Sequence, residues 1–172
     1  MKASLALQVF SDGASNWIEY LCNVLELPQF TSCEATVEFL QHINDAFDIM
    51  NSRNHLSGGL KTPLTKENFE MALRTLVDCK CFLLGLKDVS GTPMHKGPRK
   101  AGYLGFIFSI NSFIRLFEDL ISRPGTQLKY LLGYKFSQDH LELFFSAVRA
   151  RGGFNNNPTA RQFKAAYKRL LM

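Results

Sequence analysis

Apolar side chains recur at helical rather than alternating intervals along most of this chain. In ASNWIEYLCNVLEL, Trp17, Ile18, Leu21, Val24 and Leu25 predict an amphipathic helix with a buried face, which Pro28 ends. Thr31, three residues before Glu34, opens TSCEATVEFLQHINDAFDIMNSR with a capping-box pattern, and Val37, Leu40, Ile43, Phe47 and Met50 make one stripe of a long helix. NHLSGGLKTP breaks that helix, and Thr65 restarts one through Phe69, Leu73, Leu76, Val77, Leu83 and Leu84. KDVSGTPMHKGPRKAG combines glycine, proline and four bases with one acid, so it reads as a loop that divides the chain. YLGFIFSINSFIRLFEDLIS is apolar almost all round and belongs at the centre of the packing until Arg123-Pro124-Gly125 stops it. QLKYLLGYKF fits either a short strand or an extended lead-in. A helix N-capped by Ser137 follows, with Leu141, Phe144, Phe145 and Val148 toward a core, and RGGFNNNP then turns into a basic helix N-capped by Thr159. The predicted fold class is mainly α, with at most one or two strands near residues 127–136.

The 172 residues are one large domain or two small ones, and an apolar content of 46% is enough for a core rather than a disordered chain. The net charge of +5 is unevenly spread. Residues 1–53 carry two bases against seven acids, a net −5, which leaves +10 for the remainder. From Arg149 onward there are Arg149, Arg151, Arg161, Lys164, Lys168 and Arg169 and no acid. Such a basic terminus fits a polyanion partner, and it fits a solvated helix face equally well. The four cysteines sit in helix-like, largely apolar sequence and read as the reduced thiols of an intracellular protein. MKASLALQVF is interrupted too soon for a secretory signal, and no apolar run reaches transmembrane length. A nuclear or cytosolic protein with no membrane partner is expected.

Local motifs narrow the chemistry. GGLKT and SGTPMHKGPRKAG resemble phosphate loops loosely but lack the G-x-x-x-x-G-K-[ST] spacing and follow no clear strand. A nucleotide would have to be held by side-chain bases such as Lys61, Lys96, Arg99 or Lys100 together with a metal and an acid. His42, His55, His95 and His140 have no serine or cysteine signature around them, and Cys79 and Cys81 lack a second ligand pair with zinc-finger spacing. SQDHLELFFSAVRARGG holds its acids in front and its bases behind. Asp139 and Glu142 share a helix face in the first two turns, where the helix dipole favours negative charge. That is ordinary helix electrostatics, and it is also what one element of a Mg²⁺ site would look like, since hard cations take oxygen ligands from several elements.

The pattern Q-D-x-x-E-x-F-F-S-x-x-R-x-x-G-G-x-N-x-x-P-T, which runs from Gln138 to Thr159, resembles the C-terminal part of P-element-type transposases, including those with an N-terminal THAP DNA-binding domain. KASLALQVFS, FDIMNSRN and GYLGFIFSINS resemble the GTP-binding insertion domain that interrupts the RNase H-like catalytic domain of this family. The resemblance implies a helical insertion domain at residues 1–126 followed by a terminal helical segment of an RNase H-like domain at 127–172. It implies GTP and Mg²⁺ as cofactors, DNA at transposon ends as a partner, self-association with a longer transposase chain, and a nuclear location.

By the same resemblance, Glu142 matches the glutamate of the family's Asp-Asp-Glu catalytic set. Asp139 looks like the aspartate that helps place the metal on the GTP phosphates, so Asp139 and Glu142 are both metal candidates. Asp48, Asn51, Ser52 and Arg53 in FDIMNSR are nucleotide-pocket candidates, and Arg149, Arg151, Arg161, Lys164 and Lys168 are DNA-contact candidates. The sequence departs from the family in lacking the two earlier aspartates on RNase H strands, so DNA cleavage by this polypeptide alone is not expected. The alternative is a non-catalytic helical interaction module, a domesticated transposon remnant without nucleotide binding.

Overall fold

The computed structural model describes residues 8–171, so the first part of KASLALQVFS lies outside the described residues. The chain divides into two compact units, Met1–Tyr134 and Lys135–Met172. Among the described residues the structure is mainly α, and its β-pairing consists of two isolated bridges. None of its helices is long and apolar enough to cross a membrane.

The first unit is built from α1 (Asp12–Asn23), α2 (Glu34–Met50), α3 (Phe69–Gly85) and α4 (Lys100–Phe117), the last continued by a π turn over Glu118–Ser122. The inner seam of α3 is Ala72, Leu76, Cys79 and Leu83, spaced three and four apart, and α3 packs between α2 and α4. The seam of α4 is Ile107, Ile110, Phe113 and Phe117, and the π turn carries it on to Ile121. Phe117 and Phe69 stack with ring centroids 4.0 Å apart, which closes the core at the start of α3. Asn68 sets that start: its Oδ1 accepts from the Thr65 N–H at 2.8 Å, and its Nδ2 donates to the Pro63 carbonyl at 2.9 Å.

The start of α2 and the buried face of α1 differ from their predicted form. Thr31 does not cap α2, because its hydroxyl donates to the Pro28 carbonyl in the preceding 3-10 turn at 3.0 Å, and α2 begins at Cys33 without a side-chain cap. The predicted burial of the Trp17 face on α1 also fails: Trp17 and Val24 are 64% and 61% exposed. Small Ser15, 1% exposed, faces inward instead, and α2 is the main helix against which α1 packs. Trp17 meets Tyr20 edge-on at 5.7 Å on the outer side.

QLKYLLGYKF forms no strand. Leu131 makes an isolated antiparallel bridge to Leu64, with hydrogen bonds of 2.9 and 2.8 Å, and the chain then tightens into a 3-10 turn at Gly133–Phe136. The Gly133 N–H donates to the buried Ser52 hydroxyl at 3.0 Å, and the Tyr134 N–H donates to the Ser52 carbonyl at 3.3 Å. Gly133 passes so close to the end of α2 that a Cβ placed there would collide with the Met50 carbonyl.

The second unit is a hairpin of α5 (Asp139–Arg151) and α6 (Ala160–Leu171). Val148 and Ala166 are buried, and Phe144 meets Phe163 and Tyr167 edge-on at 6.2 and 5.9 Å. Leu141 and Phe145, predicted to face a core, are 60% and 46% exposed because within this unit α5 packs mainly on α6. Ser137 does not N-cap α5: the first helical turn follows Gln138, and the Ser137 hydroxyl meets only the Asp139 N–H at 3.4 Å. Thr159 does cap α6. Its Oγ1 accepts from the Gln162 N–H at 3.3 Å while Gln162 Oε1 accepts from the Thr159 N–H at 2.9 Å, a reciprocal capping box.

Candidate functional site

The first unit contains a cavity of about 580 Å³, within the size range of small-molecule sites. Phe39 and Phe47 from α2 and Tyr103 and Phe106 from α4 form its aromatic walls, with Leu83 of α3 behind them. Its polar groups are few. Asn44 and Asp48, one helical turn apart on α2, share a face, and Ser11 and Lys61 contribute from the start of α1 and from the 3-10 turn Gly59–Lys61.

These groups are tied together. Asn44 Nδ2 donates to Asp12 Oδ1 at 2.7 Å and reaches Asp48 Oδ2 at 3.4 Å. Lys61 Nζ lies 3.3 Å from the same Asp48 oxygen, with the aspartate side chain 16% exposed and the lysine 61%. Next along α2, Asp45 is pushed above its ordinary carboxylate range by burial, and then by the neighbouring charge of Asp12. On the α4 wall Gly102 borders open space, where a Cβ would meet no heavy atom within 4 Å.

Of the residues singled out from FDIMNSR, Asp48 lines the cavity and Asn51, Ser52 and Arg53 do not. Asn51 ends α2, and its Oδ1 accepts from Arg53 Nε at 3.4 Å. Ser52 is 1% exposed and holds Gly133. Lys61 was legible as a candidate base; Phe39, Asn44, Tyr103 and Phe106 were not singled out, although Asn44 lies a turn before Asp48.

Asp139 and Glu142 belong to the second unit, in the first turn of α5. Glu142 is exposed, and its Oε1 accepts from Gln138 Nε2 at 3.1 Å; Asp139 is half-buried. Among the described residues no three His, Cys, Asp or Glu side chains converge as a metal site. Arg161, Lys164 and Lys168 are exposed and share one face of α6, and Arg149 and Arg151 lie in the last turn of α5.

Family models match both units. Residues 1–63 match the TNP-like GTP-binding insertion domain, and residues 134–168 match the TNP-like RNase H C-terminal domain. Human DNA transposase THAP9 is 38% identical over 170 residues, 99% of this chain. The chain belongs to the P-element-type transposase family. The Drosophila melanogaster transposable element P transposase, another member of the family, is 27% identical over 99% of the chain. The chain spans 19% of the length of the human relative and 22% of the Drosophila one. A solved structure, the Drosophila P element transposase strand transfer complex, shares the fold with a TM-score of 0.70 over 99% of this chain and 36% of its own, at 24% identity.

Proposed function

We propose that this P-element-type segment binds a guanine nucleotide with Mg²⁺ in the cavity between α2 and α4. The observation that carries the reading is the Asp48–Lys61 pair set against aromatic walls, within a region matched by the GTP-binding insertion domain model. The residues present fit the ligand. Aromatic rings suit a planar base, a carboxylate accepts the paired N–H donors of a guanine edge that adenine does not offer, and exposed Lys61 can meet phosphate. Magnesium is commonly held through substrate phosphates and water with one or two carboxylates, so with Asp48 on the base edge it would arrive on the phosphates beside Lys61. By the family resemblance Asp139, in the second unit, is a metal candidate of its own.

In this reading the second unit supplies Glu142 as one of the three carboxylates of an Asp-Asp-Glu strand-transfer site, and Arg149, Arg151, Arg161, Lys164 and Lys168 contact DNA phosphates without reading sequence. Nuclear location and assembly with a longer transposase chain follow from that role. Isothermal titration with a non-hydrolysable GTP analogue, with and without Mg²⁺ and against the ATP analogue, tests the site. Guanine-selective binding that strengthens with the metal is expected; no binding by a folded sample would favour the non-catalytic remnant. For DNA, neutralising Arg161, Lys164 and Lys168 together should lower the slope of log K against log salt by about 2.7.

A further inference from the structure

The C-terminal turn of α1 and the start of α2 bring two thiols together. Cys33 sits at the N-cap of α2, and its Sγ lies 3.9 Å from the carbonyl oxygen of Ile18 on α1. Cys22 is one helical turn after Ile18, and side chains on a helix lean back over the preceding turn, so helix geometry directs its side chain toward the patch that Cys33 reaches. Burial and the adjacent Cys22 thiol hold Cys33 above its ordinary range, a second sign that the two sulfurs are neighbours. Both residues are half-buried, so neither sulfur is sealed in the core.

The other two cysteines are placed differently. Cys79 is in the core, where burial pushes its thiol up to about 12 and leaves it unreactive at neutral pH. Cys81 is exposed, two residues further on and on another side of α3.

We propose that Cys22 and Cys33 are a redox-active dithiol that closes to a disulfide when the protein meets a hydroperoxide. Because burial disfavours ionisation of Cys33, the Cys22 thiolate attacks a peroxide oxygen and becomes a sulfenic acid, releasing water once the leaving oxygen takes up a proton. The second thiolate attacks that sulfur, displacing the hydroxyl as a second water. Two S–H bonds are replaced by one S–S bond, and the two electrons and two protons lost by the thiols reduce hydrogen peroxide to two waters. The bond would pin the C-terminal end of α1 to α2, and so restrain the helix whose N-cap, Ser11, lines the cavity.

The test uses the full chain carrying Cys81→Ser, treated with hydrogen peroxide, alkylated and cleaved after glutamate. Glu26 lies between the two thiols, so such cleavage separates their peptides unless a disulfide holds them. The expected result is a linked pair that reductant separates, together with a rise in melting midpoint of about 5 °C or more that reductant reverses. Cys22→Ser should abolish both effects. Separate peptides bearing alkylated or over-oxidised sulfurs, in protein that remains folded by circular dichroism, would overturn the proposal.

Discussion

Asp48 Oδ2 and Lys61 Nζ stand 3.3 Å apart on the cavity wall, the carboxylate mostly sheltered and the ammonium mostly in water. The two partners are therefore not equivalent. An exposed lysine on a flexible stem gives up its ion pair at little cost, whereas Asp48 is fixed by its helix and by Asn44.

Asp48→Asn should weaken binding of the GTP analogue by roughly ten- to a hundredfold and narrow its preference over the ATP analogue, the scale of a lost charged hydrogen bond. Lys61→Met should weaken both nucleotides alike. Neither change should move the melting midpoint much, because the pair is partly exposed. Unaltered guanine preference in Asp48→Asn would show that the carboxylate does not read the base.

Gly102→Val offers a steric test that spares the fold. The new side chain enters open space beside the cavity, and valine is no worse in a helix than glycine. Melting should be unchanged or slightly raised while nucleotide affinity drops at least about tenfold, by analogy with the cost of overpacking a fitted site. Intact affinity in calorimetry would place the ligand elsewhere.

The contact between Gly133 and Ser52 is expected to be stringent. Gly133→Ala forces backbone apart at Met50 and should cost about 3 kcal/mol. Ser52→Ala leaves the buried Gly133 N–H without its acceptor, a loss of about 1–3 kcal/mol. Urea unfolding of both variants measures this, and a wild-type midpoint for Gly133→Ala would contradict the geometry.

Asp45 sets a pH dependence. Its folded value lies above its ordinary 3.8, so below that pH both folded and unfolded chains hold the neutral acid and no penalty exists. As pH rises through the folded value, the folded chain must ionise Asp45 where burial and Asp12 oppose it, and the penalty is complete at neutral pH. Asp45→Asn should raise the melting midpoint by about 2 °C at pH 7, with the difference vanishing below about pH 4. Equal midpoints across that range would remove Asp45 from the account.

The sequence showed where helices run better than where they end or what covers them. Periodicity identified α2 and α3, since Leu40 and Leu76 recur with the residues that share their faces, and α4 was legible as a run apolar almost all round. It could not foresee that Thr31 bonds Pro28, because the hydroxyl had a backbone N–H to accept from three residues on and a carbonyl to donate to three residues back. It named an apolar face on α1 and on α5 without revealing that Trp17 and Leu141 lack a neighbour across from them within their units, for that depends on tertiary placement. At the site, Asp48 was legible through the family resemblance. The rings of Phe39 and Tyr103 were not, because no local pattern tells which residues from two helices far apart in sequence will enclose a void.

The Ser52–Gly133 hydrogen bond joins positions 81 residues apart. On a ribosome, α2 and Ser52 emerge long before Gly133, and until it arrives the serine hydroxyl has no partner and Leu64 has no bridge to Leu131. The last stretch of the first unit to be synthesised is thus the one that seals it, so a shorter piece ending before Leu131 should stay open and prone to capture by chaperones or proteases.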